Sequence, residues 1–178
     1  MRIISVCLIA LLLAQTVAAK TAAPAGDLDQ FIATYRCAVL EILKRIHGQP
    51  LDRPDRYLIL SVDDKQRYVQ CHFEEDDKVM YCEASSGLYA QPRTLLRLSR
   101  AQRAAIAALG FARQGDELNF QETRALDGES GLWDIAGLML EALYRGYGAS
   151  LKRKLFMTAP YVPGRVLPRG DTACLAIS

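Results

Sequence analysis

Two histidines, a scatter of carboxylates and five cysteines are the side chains in this chain that could do chemistry. His72 lies in Arg67-Tyr-Val-Gln-Cys-His-Phe73, with Glu83 a short way downstream. An imidazole beside a carboxylate is the minimal equipment for general-base work. His47 follows Lys44 and Arg45 and precedes Gly48, the pattern of a cation compensating the negative end of a helix. Asp63-Asp64 and Glu74-Glu-Asp-Asp77 are dense in oxygen ligands but lack the alternate spacing of a calcium loop, so they read as solvated turns. There is no GxSxG, HExxH, P-loop or GxGxxG before a helix. The expectation is a non-enzymatic protein with no catalytic residue, metal or cofactor.

Cysteine chemistry is more informative. Met1 to Ala19 has one charge, Arg2, then an apolar run from Ile3 to Leu13, and small residues at Val17-Ala-Ala19. This is the pattern of a secretory signal cleaved after Ala19, and it predicts a periplasmic or secreted protein. Its apolar run is too short to span a bilayer. Cys7 falls within it, leaving Cys37, Cys71, Cys82 and Cys174 in the mature chain. An even number of cysteines in an exported chain points to two disulfides. A zinc site is the weaker reading, because there is no CxxC and the histidines lack ligand spacing.

The elements that must hold these residues can be read from hydropathy. Tyr57 to Val62 is a β-branched and aliphatic run. Arg67 to Phe73 alternates strictly, with Val69, Cys71 and Phe73 on one face and Tyr68, Gln70 and His72 on the other. Val79 to Ala84 supplies a third strand. Such alternation marks strands buried on one side. Pairing Val69 with Ala84, Cys71 with Cys82 and Phe73 with Met80 keeps every inward pair apolar. A slip by one residue would set apolar against polar groups. This register predicts a Cys71–Cys82 bridge, with two free buried thiols as the alternative, and leaves Cys37 to join Cys174.

Around that meander, a helix is predicted from Asp27 or Asp29 to His47, its apolar stripe running from Leu28 to Ile46. Cys37 falls off that stripe, where the chain's tail could pack. A short helix from Arg100 to Leu109 is predicted behind Ser99, which with Gln102 forms a capping box, and Gly110 stops it. A fourth strand is expected within Phe111 to Thr123, and a last helix from about Gly131 to Tyr147, stopped by Gly148. The fold class is therefore α+β. A three-strand antiparallel meander plus a fourth strand packs against N-terminal, middle and C-terminal helices. Residues 1–19 are the signal, 20–148 the domain, and 149–178 a basic extended arm with Lys152, Arg153, Lys154, Arg165 and Arg169 against Asp171.

Loss of Arg2 with the signal lowers Lys+Arg from 22 to 21, against 20 acidic residues. A balance so near neutrality argues against nucleic-acid binding. The basic arm could instead meet an acidic partner or a membrane surface. The polar face, with Tyr68, Gln70, His72 and Tyr81, has a composition suited to recognising another protein or a second copy of the chain.

Short motifs add a resemblance. Arg67-Tyr-Val-Gln70 and the acidic turn, then Leu98-Ser-Arg-Ala-Gln102, Leu109-Gly-Phe111, Asn119-Phe120 and Leu143-Tyr-Arg-Gly-Tyr-Gly148 resemble bacterial domains of the type III secretion chaperone-like fold, the TY-chaperone and related families. The likeness covers about Tyr57 to Gly148. It implies a dimeric, non-enzymatic protein that binds unfolded stretches of other chains. The export signal, the four cysteines and the basic tail lie outside that pattern. Two functions are expected from different classes: an exported protein-binding module, or a periplasmic inhibitor or immunity protein directed at one toxin or hydrolase.

Overall fold

A computed structural model describes residues 25–62, 66–74, 76–89, 96–113, 115, 118–160 and 166–170. The described chain runs α1 (Ala25–His47), β1 (Tyr57–Val62), β2 (Arg67–Glu74), β3 (Val79–Ala84), α2 (Arg100–Ala107), β4 (Phe120–Ala125), α3 (Gly128–Tyr147) and β5 (Leu155–Thr158). The strands form one antiparallel sheet in the order β4-β3-β2-β1-β5. The class is the expected α+β, with one strand more than the sequence suggested.

The β2–β3 register follows the hydrophobic pattern. Val69 faces Ala84, Cys71 faces Cys82 and Phe73 faces Met80. Cys71 and Cys82 are joined by a disulfide, their Cα atoms 4.1 Å apart. Cys37 is disulfide-bonded as well; Cys174, its expected partner, lies outside the described residues. So do the signal sequence and its cleavage site.

The face carrying Leu58, Leu60, Val69, Cys71, Met80 and Cys82 is fully buried. It meets a helical layer in which α1 packs on α3, and α3 on β1 and β2. Phe31, Tyr35, Val39 and Leu43 of α1 and Ile135, Met139, Leu140 and Leu143 of α3 complete the core. α2 has the capping box read from its sequence: Ser99 Oγ accepts from Gln102 N at 3.2 Å, and Gln102 Oε1 accepts from Ser99 N at 2.9 Å. It crosses α3 where that helix has no side chain. A Cβ on Gly146 would stand 2.7 Å from Ile106 Cγ1.

The segment read as an extended arm is built into the sheet. Leu155 and Met157 are buried, and β5 pairs with β1, Leu60 facing Met157. The chain then returns, with Leu167 N donating to Leu155 O at 2.9 Å and Gly170 N to Thr34 O at 3.2 Å. Arg169 Nε donates to Tyr35 Oη at 3.0 Å. The tail thus lies along the flank of α1 just before Cys37, where the sequence had placed it. Burial of Leu155, Met157, Ala159 and Leu167 draws in a stretch whose net charge suggested solvent.

Candidate functional site

Burial of one sheet face leaves the opposite face to be explained. It carries Tyr57, Ile59 and Ser61 from β1, Tyr68, Gln70, His72 and Glu74 from β2, and Val79, Tyr81 and Glu83 from β3. The register aligns them in rows: Tyr57, His72, Tyr81 and Thr123 in one, Ile59, Gln70, Glu83 and Gln121 in the next. Period-two geometry guarantees this composition once the other face is apolar. Most of these side chains are half-buried by one another, with Ser61 buried and Glu74 exposed.

Gln70, His72 and Tyr81 are joined through carboxylates that the sequence reading left out of the recognition set. Gln70 Nε2 donates to Glu83 Oε2, and Tyr81 Oη donates to Glu83 Oε1 at 3.3 Å. The His72 and Tyr81 rings lie 4.9 Å apart at a 45° tilt. His72 Nε2 is 2.8 Å from Glu74 Oε1. Among the described residues the acid within reach of His72 is therefore Glu74 rather than Glu83. Burial, reinforced by the charges of Glu83 and Glu74, pushes the Tyr81 phenol up to about 12.

Tyr68 shares the face but belongs to a different contact. Its hydroxyl accepts from Asn119 Nδ2 at 3.0 Å. Asn119 Oδ1 in turn accepts from Ser86 N at 3.0 Å. Asn119 is buried, and these bonds hold the loop after β3 against the start of β4. Burial raises the Tyr68 phenol as well. The Asn119-Phe120 motif thus works as a brace.

Towards the Glu74 end of this face, the 51–56 loop stands beside β1 and β2 and borders a groove of about 700 Å³, whose lining includes Leu51, Tyr57, Ile59, Gln70 and His72 together with the charged groups Arg53, Asp55, Arg56, Glu74 and Asp76. Leu51 is 58% exposed, the reverse of what a leucine prefers.

One ion pair fixes this wall. Arg56 is buried, and its fork binds Asp77 twice, Nη1 to Oδ1 at 2.6 Å and Nη2 to Oδ2 at 2.7 Å. Nη2 also donates to His47 O at 2.9 Å, and the guanidinium lies 5.2 Å from the centre of the Phe73 ring. The pair ties the end of α1, the start of β1 and the β2–β3 turn together. The turn read as solvated is thus half structural: Asp77 anchors it with φ of 68°, and Asp76, at 52°, faces water. Aspartate tolerates this left-handed backbone better than most residues.

Tyr57 and Ile59 could have been found from the alternation that buried Leu58 and Leu60. Nothing local in the sequence joins Arg56 to Asp77, because their meeting depends on how the hairpin folds back onto α1. Among the described residues no group of three or more His, Cys, Asp or Glu side chains could hold a metal ion, and no helix is long and apolar enough to cross a membrane. No protein-family model matches the chain, and neither a curated protein nor a solved structure matches it.

Proposed function

We propose that this is a non-enzymatic, exported protein-binding module that docks another protein on the outer face of its sheet. The observation that carries the reading is the groove between the 51–56 loop and β1–β2. Apolar side chains are held open to solvent there beside a fixed network of amide, imidazole, phenol and carboxylate groups. Interfaces concentrate aromatic groups and satisfied polar groups in this way. The Cys71–Cys82 bridge lies directly beneath this face and suits an oxidising compartment, which supports export and removal of residues 1–19. The likeness to secretion chaperones supports the same role through its short motifs.

His72 is read as a recognition residue. Its imidazole is paired with an exposed glutamate on an open face, where water competes for every proton it could move.

A second reading, an inhibitor or immunity protein with one target, is favoured by the groove's rigid wall. A pre-organised site lowers the cost of ordering on binding and suits a single tight partner. A photoreactive residue at Gln70, compared with one at exposed Ala104 on α2, tests the proposal in the producing cell. Crosslinks to protein from position 70 alone are expected. Equal labelling from both positions would refute a specific face. Several partners captured from position 70 would fit a chaperone, and a single one an inhibitor.

A further inference from the structure

Charge on this face narrows the partner. Arg56 lines the groove, but its charge is matched by Asp77. Among the other charged groups that line it, Asp55, Glu74 and Asp76 outnumber Arg53. Beside them Glu83 accepts only from the neutral donors Gln70 and Tyr81 among the described residues. The chain as a whole is slightly cationic at +2, so this acidity is local. A concave, partly apolar surface with excess negative charge attracts cations and repels acidic chains.

We infer that the groove accepts an extended segment of a partner protein bearing lysine or arginine. This rests on the docking reading above and names the chemistry of what docks. Glu83 faces Gln70 across the sheet, and Glu74 lies four residues beyond Gln70 on β2. Each strand residue rises about 3.3 Å, so two cations about four residues apart on a segment aligned with β2 would reach both carboxylates. Aliphatic side chains between them would rest on Tyr57 and Ile59.

The test uses the mature protein and short valine/serine peptides carrying either two lysines or two glutamates at about that four-residue spacing, followed by fluorescence anisotropy. The lysine peptide should bind, and the glutamate peptide should not. The E74Q/E83Q protein should bind the lysine peptide about tenfold more weakly, and added salt should erase that difference. Both substitutions keep side-chain shape on a solvent-facing surface, and circular dichroism checks the fold. Equal binding of the two peptides, or no effect of E74Q/E83Q, would overturn the inference. So would sedimentation showing that a second copy of the chain already occupies the face. Crosslinking from Gln70 separates the two levels. Crosslinks to protein that survive E74Q/E83Q would end the cationic-segment inference and leave docking intact, whereas none in either protein would end both.

Discussion

The Arg56 fork is the least replaceable polar contact in the described chain. Arg56 is buried and its two bonds to Asp77 are part-buried, so removing the carboxylate strands a charge largely away from water. Asp77→Ala should lower the unfolding free energy by about 3 kcal/mol. Asp76→Asn, one residue away and facing solvent, should change it by less than about 0.5 kcal/mol. Urea unfolding of the two variants makes the comparison, and equal effects would contradict the structural role given to Asp77. Tyr81 offers a test by pH. Burial and the Glu83 charge disfavour its phenolate, with the pKa raised to about 12 from an ordinary 10. In the unfolded chain the same phenol ionises near the ordinary value. Its contribution to stability is therefore complete below pH 10 and is lost as pH climbs towards 12. Absorbance titration should show this phenol still neutral where free tyrosine has ionised, and Glu83→Gln should bring the transition down.

Elements differed in how openly they announced themselves. The hairpin could be read because Val69, Cys71 and Phe73 have one register that leaves no apolar group facing a polar one, and the disulfide follows from that register. The end of α1 at His47 and the cap of α2 were equally plain, since Gly48, Ser99 and Gln102 act locally. β4 begins at Phe120, late in the span expected for it, because Asn119 is spent on bracing the preceding loop. β5 was hidden. Four residues between a basic run and Pro160 show too little alternation, and only the vacant edge of β1 reveals what Leu155 and Met157 are for. Deleting residues 150–178 is consequently a poor probe of charge, because it removes a strand. Lys152 and Lys154 are exposed and can be neutralised singly. The crossing of α2 on α3 is a further feature with no local signature. Gly146→Ala gains roughly 1 kcal/mol of helix propensity. It also drives a methyl into the end of the Ile106 side chain, which is fully buried. Overpacking of that kind costs about 1–3 kcal/mol, so a net loss is expected. In an Ile106→Ala background the same substitution should become neutral or stabilising, and thermal unfolding of the cycle measures the coupling.

Considered whole, the described chain is a sheet with one face sealed by α1 and α3 and the other left polar and braced, with a groove beside the 51–56 loop. The sealed side, with its disulfide and the contacts of residues 166–170, backs the open side. Half of the candidate site was legible as the outward positions of β2 and β3. The other half comes from the 51–56 loop and from β1, which the pattern placed in the sheet without indicating a groove between them. The account stands on that open face being covered in use. Carbene footprinting of Tyr57, His72 and Tyr81, in the purified protein and in the extract of the cells that produce it, measures this directly. We expect all three to lose labelling in the extract while Tyr89, which is 61% exposed on the loop after β3, serves as the internal reference. Undiminished labelling of the three in the native extract would contradict the assignment of this face to a partner.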